Sequence, residues 1–320
     1  MPNLSKRYLR GKPMRVTTSA SLAQIQAALI AERPSLAAIR GGWGNIGEDP
    51  DLLNTIGAQP PISDPEILPA IPGLRPEVLA ARRYWYNPLR TRVPGASPQQ
   101  VLDGADILLS AEGNHEYLLF VSTLTDRHLN VEIVPALQRA ISNIDPSVTI
   151  STTTSSVDFD DPDFFLWLVR KSFGAEPIAP HVTIDDMDKV NCYDPLSYET
   201  RIGRGANQDR LELVTMLANS VKVFGPATFS LTATALNAAL ELSLSLDGSI
   251  DITVPSISYP GSGFTTMEEM RVRAVTDLLY VILPSMKAHY LADTGWRSGV
   301  DRDVFREAMK QKALAGVAVL

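Results

Sequence analysis

The stretch ALELSLSLDGSIDITV, residues 239–254, decides the fold class. Leu240, Leu242, Leu244 and Leu246 alternate with Glu241, Ser243 and Ser245, and beyond Asp247-Gly248 the period resumes as Ile250, Ile252 and Val254 against Ser249, Asp251 and Thr253. Successive side chains of a strand point to opposite faces, so each half has one dry and one wet side. Asp-Gly tolerates the positive φ angles of a two-residue turn, and the expectation is an antiparallel hairpin closed at Asp247-Gly248.

Helices and further strands surround it. On the C-terminal side Thr266 and Glu269 have capping-box spacing ahead of a helix to roughly His289, with Pro284 as a kink or break. Residues 300–317 form a last amphipathic helix with Val304, Phe305, Ala308 and Met309 near one face. On the N-terminal side a helix starts at Leu211, and VKVFGPATFSLTATA, 221–235, is one or two strands around Gly225-Pro226. HVTIDDM (181–187), VTIST (148–152) and HEYLLFVST (115–123) read as strands, and Leu129–Ile141 as a helix with Val134, Leu137 and Ile141 on one side. In DDPDFFLWLVRKSF, 160–173, Asp161 is placed as N-cap and Pro162 as the first helical residue of a buried helix.

The N-terminal third differs. Ser21 and Gln24 make a capping box, Leu22, Ile25, Leu29 and Ile30 a stripe, and Pro34 a stop. Between Gly41 and Pro98 prolines recur too often for long helices or central strands, which predicts an ordered covering arm. The expected architecture is α+β: a mixed sheet with an antiparallel hairpin, flanking helices and a proline-rich arm. The division expected is residues 1–110, helix and arm, and 111–320, main domain.

The 320 residues are 45% hydrophobic and 20% charged, enough for a large core, and the net charge of −7 disfavours wrapping duplex nucleic acid. Cys192 stands alone, so no internal disulfide forms and a reducing, cytoplasmic setting is expected. The most hydrophobic helix, from Met267, contains Glu268, Glu269, Arg271, Arg273 and Asp277, so no membrane span is expected.

Four stretches bear on chemistry. GGWGNIG, 41–47, spells G-x-G-x-x-G, but Glu48, Asp49 and Asp51 bring negative charge where pyrophosphate would sit, so a turn is expected. In RIGRGANQDRLEL, Arg201, Gly203, Arg204, Gly205, Asn207 and Arg210 precede a helix and form an anion-binding candidate, although the Lys-Ser/Thr ending of a phosphate loop is missing. Asp158 and Asp160 could hold Mg²⁺ if Asp186 and Asp188 converge on them, against helix capping as the simpler role. In RRYWYNPLRTR, 82–92, Arg82, Arg83, Arg90 and Arg92 surround Tyr84, Trp85 and Tyr86, the residue types of a protein contact, of stacked bases, or of ordinary packing. His115, His128, His181 and His289 fit no H-E-x-x-H pattern, and no G-x-S-x-G occurs.

These features favour a non-catalytic interaction or structural subunit that binds a protein partner or itself, without a cofactor. The alternatives are a Mg-dependent phosphoester or nucleotide-processing enzyme and a single-stranded nucleic-acid-binding protein.

Overall fold

The computed structural model describes residues 8–35, 41–46, 52–88, 100–159, 161–193, 199–202, 210–219, 223–264 and 267–317. The fold is α+β, with antiparallel strand pairing and flanking helices. Two compact units divide the chain, Met1–Ser156 and Val157–Leu320. The boundary expected after residue 110 falls inside a strand.

In the first unit the elements run β1 (Tyr8–Thr17), α1 (Leu22–Ala31), β2 (Trp43–Gly44), β3 (Thr55–Ile56), β4 (Glu66–Leu68), β5 (Val78–Pro88), β6 (Gln100–Gly113), β7 (Glu116–Val121), α2 (Val134–Ser142) and β8 (Thr149–Ser151). The sheet order is β8-β1-β7-β6-β5-β2, with β4 on β5 and β3 on β6. One face packs beneath α1 and α2 through Met14, Val16, Ile25, Leu29, Leu79, Ile107, Leu119, Ile133 and Leu137. The Ser21–Gln24 capping box forms as the spacing predicts.

One long strand departs from the arm expected over 41–98. β5 begins just after Pro76 and ends at Pro88, so eleven consecutive residues free of proline separate the two, and each can donate its N–H to a ladder. β6 pairs with it over eleven positions, from Val78↔Ser110 to Pro88↔Gln100.

Asp145 ties the β1–α1 turn to the turn after α2. Its Oδ2 accepts from Thr18 Oγ1 (2.8 Å), Ser19 N (2.7 Å) and Ser19 Oγ (3.0 Å), and its Oδ1 from Ser147 N (3.0 Å) and Ser147 Oγ (2.5 Å). Hydrogen bonds from the Ser147 hydroxyl, the Ser19 N–H and the Thr18 hydroxyl hold the carboxyl well below the usual carboxylate range. A depressed folded-state value adds stability above the ordinary Asp titration and loses it as pH falls through that depressed value. Asp145→Ala is therefore expected to melt earlier than wild type at pH 7, with the gap narrowing in strong acid; equal gaps in thermal melts at both pH values would refute this role.

The second unit runs α3 (Asp163–Phe173), β9 (Val182–Tyr193), β10 (Glu199–Ile202), α4 (Leu211–Ala218), β11 (Val223–Ala233), β12 (Ala238–Leu244), β13 (Ile250–Thr253), α5 (Met267–Asp277), α6 (Leu283–Ala292), α7 (Thr294–Arg297) and α8 (Val300–Val317). Its strands order as β10-β9-β11-β12-β13. The hairpin expected around Asp247-Gly248 is β12–β13, with Leu242↔Ile252 and Leu244↔Ile250 facing the core. Its turn differs from the two-residue form. Ser245 N bonds Ser249 O and only Gly248 has positive φ (+74°), so three residues, Leu246 to Gly248, make the loop with glycine in the left-handed position. A two-residue type I′ turn would have required positive φ at Asp247 as well.

α3 is buried from Phe164 through Val169, on all sides, as its unbroken apolar run predicts. Asp161 serves its start, accepting from Asp163 N at 3.0 Å. Two helices contain a π-helical turn directly before a proline. Val134 N–H reaches back five residues to Leu129 O before Pro135, and Leu283 N–H to Leu278 O before Pro284. Proline lacks an N–H and its ring crowds the carbonyl four residues back, so a widened turn relieves both. Pro284 thus widens a helix that the sequence marked for a kink or break. Among the described residues no helix is long and apolar enough to cross a membrane.

Candidate interaction surface

The arginine and aromatic cluster lies on β5, where alternation sends its members to opposite faces. Arg82 has no exposed surface. Its Nε donates to Asp106 Oδ1 at 2.6 Å and its Nη2 to Ile46 O at 3.1 Å. Burial pushes the Asp106 carboxyl up, and the Arg82 charge pulls it back. Tyr84 shares this face, in a small core with Leu53 and Leu102, and Tyr86 packs against it.

Arg83 and Trp85 point the other way, to the helix-covered side. The Arg83 guanidinium lies over the Trp43 ring at 5.6 Å, and its Nε donates to Glu132 O at 3.3 Å. Trp85 sits across from Asp103 and 5.1 Å from the His128 ring. Asn87 holds Asp103 Oδ2 at 2.8 Å, and His128 Nε2 stands 3.9 Å from the same oxygen. Among the described residues, the buried indole N–H groups of Trp43 and Trp85 meet no hydrogen-bond acceptor. Arg82, Tyr84 and Trp85 are therefore interior side chains, and the ordinary-packing role describes them. Arg90 and Arg92 lie outside the described residues.

The glycine-arginine loop falls mostly outside them too: Gly203, Arg204, Gly205 and Asn207 are among the undescribed positions. Arg201 lies on β10, and Arg210 directly precedes α4 with Nε 3.8 Å from Glu212.

The acidic run stitches helices together within the second unit. Asp158 pairs with Lys287 at 2.9 Å, Asp161 accepts from the Tyr290 hydroxyl at 2.5 Å, and Asp163 pairs with Arg302. Asp186 is exposed on β9, and Asp188 lies 3.1 Å from Lys189. Asp160 lies outside the described residues. Among those described, no three His, Cys, Asp or Glu side chains converge as a metal site requires. Of GGWGNIG, Trp43 and Gly44 form β2, with Trp43 fully buried, while Gly47 is not among the described positions.

The surface that stands out is the outer side of α8. Its inner side is settled by contacts: Phe305 meets Trp296 and Phe173, each at 6.2 Å between rings, and Arg302 bonds Asp163. Arg306 Nη1 donates to Asn219 O at the end of α4 (3.0 Å). A Cβ on Gly316 would come within 2.9 Å of Leu211, so glycine lets α8 approach α4 closely. The outer side then carries Val300, Asp303, Val304, Glu307, Ala308, Lys310, Gln311, Leu314 and Ala315. Val300, Val304 and Leu314 are 63%, 66% and 59% exposed. The amphipathic face read from sequence divides here: Phe305 and Met309 turn inward, Val304 and Ala308 outward.

A scan against protein-family models finds no match, and a search among curated proteins returns none.

Proposed function

We propose that this chain is a non-catalytic structural or interaction subunit of a protein assembly and that the outer side of α8 makes the contact. One observation carries the reading: three aliphatic side chains of one helix stand about 60% exposed, while the opposite side of that helix is half-buried against neighbouring helices. Single exposed apolar residues are ordinary, whereas a run of them along one face is the form of a protein contact. Arg82, Tyr84 and Trp85 are buried on β5 and offer no surface for such a contact. A cytoplasmic setting, in which the Cys192 thiol stays reduced, goes with this reading.

The test is mass in solution. The full chain is measured pure and in an extract of cells that make it, and a particle larger than the 34.9 kDa of one chain is expected in at least one of the two. A 34.9 kDa species in both would end the subunit reading.

A further inference from the structure

We propose that the outer face of α8 binds the same face of a second copy of this chain, antiparallel and about a twofold axis. The inference rests on the subunit reading and names its partner. Its ground is charge complementarity along one edge of the helix. Asp303 and Lys310 are both exposed and lie seven residues apart, two turns along the same edge. In an antiparallel helix pair the same edge of each helix meets in reversed order. Asp303 thereby comes beside Lys310 of the second copy, and Lys310 beside its Asp303.

The register that aligns these charges also aligns the apolar side chains. An axis crossing α8 at the level of Arg306 and Glu307 brings Val300 level with Leu314 of the second copy. It brings Val304 level with Ala308. Each match is within about one residue's rise, about 1.5 Å. Ala308 and Ala315, small and exposed, leave room for the helices to approach. A twofold contact of this kind is self-complementary and closes on itself, so it yields a dimer rather than a filament. Glu307 lies at the axis, where it meets its own copy. Its carboxylate accepts from Gln311 at 2.7 Å and lies 3.5 Å from Lys310, which offset part of the repulsion.

Sedimentation equilibrium of the full chain from about 1 to about 100 micromolar tests this. The expected mass at the upper end is twice 34.9 kDa. Asp303→Lys and Lys310→Asp are each expected to weaken association by about tenfold or more, and the double exchange to return it to within about threefold of wild type. Glu307→Gln is expected to tighten it. Circular dichroism establishes that each variant is folded. A wild-type chain that stays monomeric throughout, or a double exchange as weak as the single ones, overturns the proposal. A pure monomer that runs in a larger particle in extract overturns self-pairing and leaves the subunit reading standing; a monomer in both removes both.

Discussion

Arg82→Met is expected to destabilise the protein by about 3–5 kcal/mol at neutral pH, the cost of leaving a buried charge without its counter-ion. Arg82 and Asp106 are adjacent across β5 and β6, with side chains 0% and 4% exposed, and the pair has almost no water to fall back on. Methionine is apolar and leaves the buried carboxylate without the two hydrogen bonds that Arg82 donates to it. The Asp106 carboxyl, already raised by burial, should rise further in the variant, which then binds a proton that the unfolded chain does not. A raised carboxylate value favours the folded state at low pH and costs stability as pH rises through it, so the deficit should shrink on acidification. Adding Asp106→Leu should recover most of the loss, since removing both charges is far less harmful than removing one. Urea titrations of wild type, both single variants and the double variant close the cycle. A double variant no better than Arg82→Met would show that the pair is not the unit of stability.

Trp167→Ala should cost a comparable amount, about 3–5 kcal/mol, through the cavity it leaves in the second unit. The ring is fully buried between Phe164 and Tyr290, with centroids at 5.8 and 5.4 Å, and Lys171 Nζ lies 5.6 Å above it. Its Nε1 donates to Asp293 Oδ2 at 3.0 Å. Burial alone would push the Asp293 carboxyl up, but the Trp167 and Trp296 N–H groups and the Lys171 charge outweigh it and hold the carboxyl below its usual range. Trp167→Phe keeps most of the volume and drops the donor, and should lose only about 1–2 kcal/mol. Thermal or chemical denaturation separates the two variants, and similar losses would assign the whole effect to the hydrogen bond.

Local signals in the chain were readable where one element decides its own form. Alternating leucines define β12, Ser21 and Gln24 define the start of α1, and an unbroken apolar run defines buried α3. β5 was hidden because arginines inside a strand look like surface. The partner that makes Arg82 an interior residue is Asp106, twenty-four positions away, and only the β5–β6 register brings them together. The α8 face has the same origin. Val304 and Phe305 differ by about 100° around the helix, and hydropathy alone does not say which one turns inward. The aromatic neighbours Trp296 and Phe173 settle it, and they come from two other helices.

The π-helical turns before Pro135 and Pro284 solve a problem of phase. Among the buried residues around the first, which include Ala136 and Ala140, Leu129, Ile133, Leu137 and Ile141 follow a step of four, as do Leu278, Ile282, Met286 and Tyr290 around the second, beside Leu279 and Leu283. In an undisturbed α-helix a step of four overshoots a full turn by about 40°, so three such steps would carry the stripe about 120° off the core. The extra residue taken up by one widened turn gives back about 100° of that drift. In both helices the widened turn before the proline therefore keeps these four large side chains over the same core.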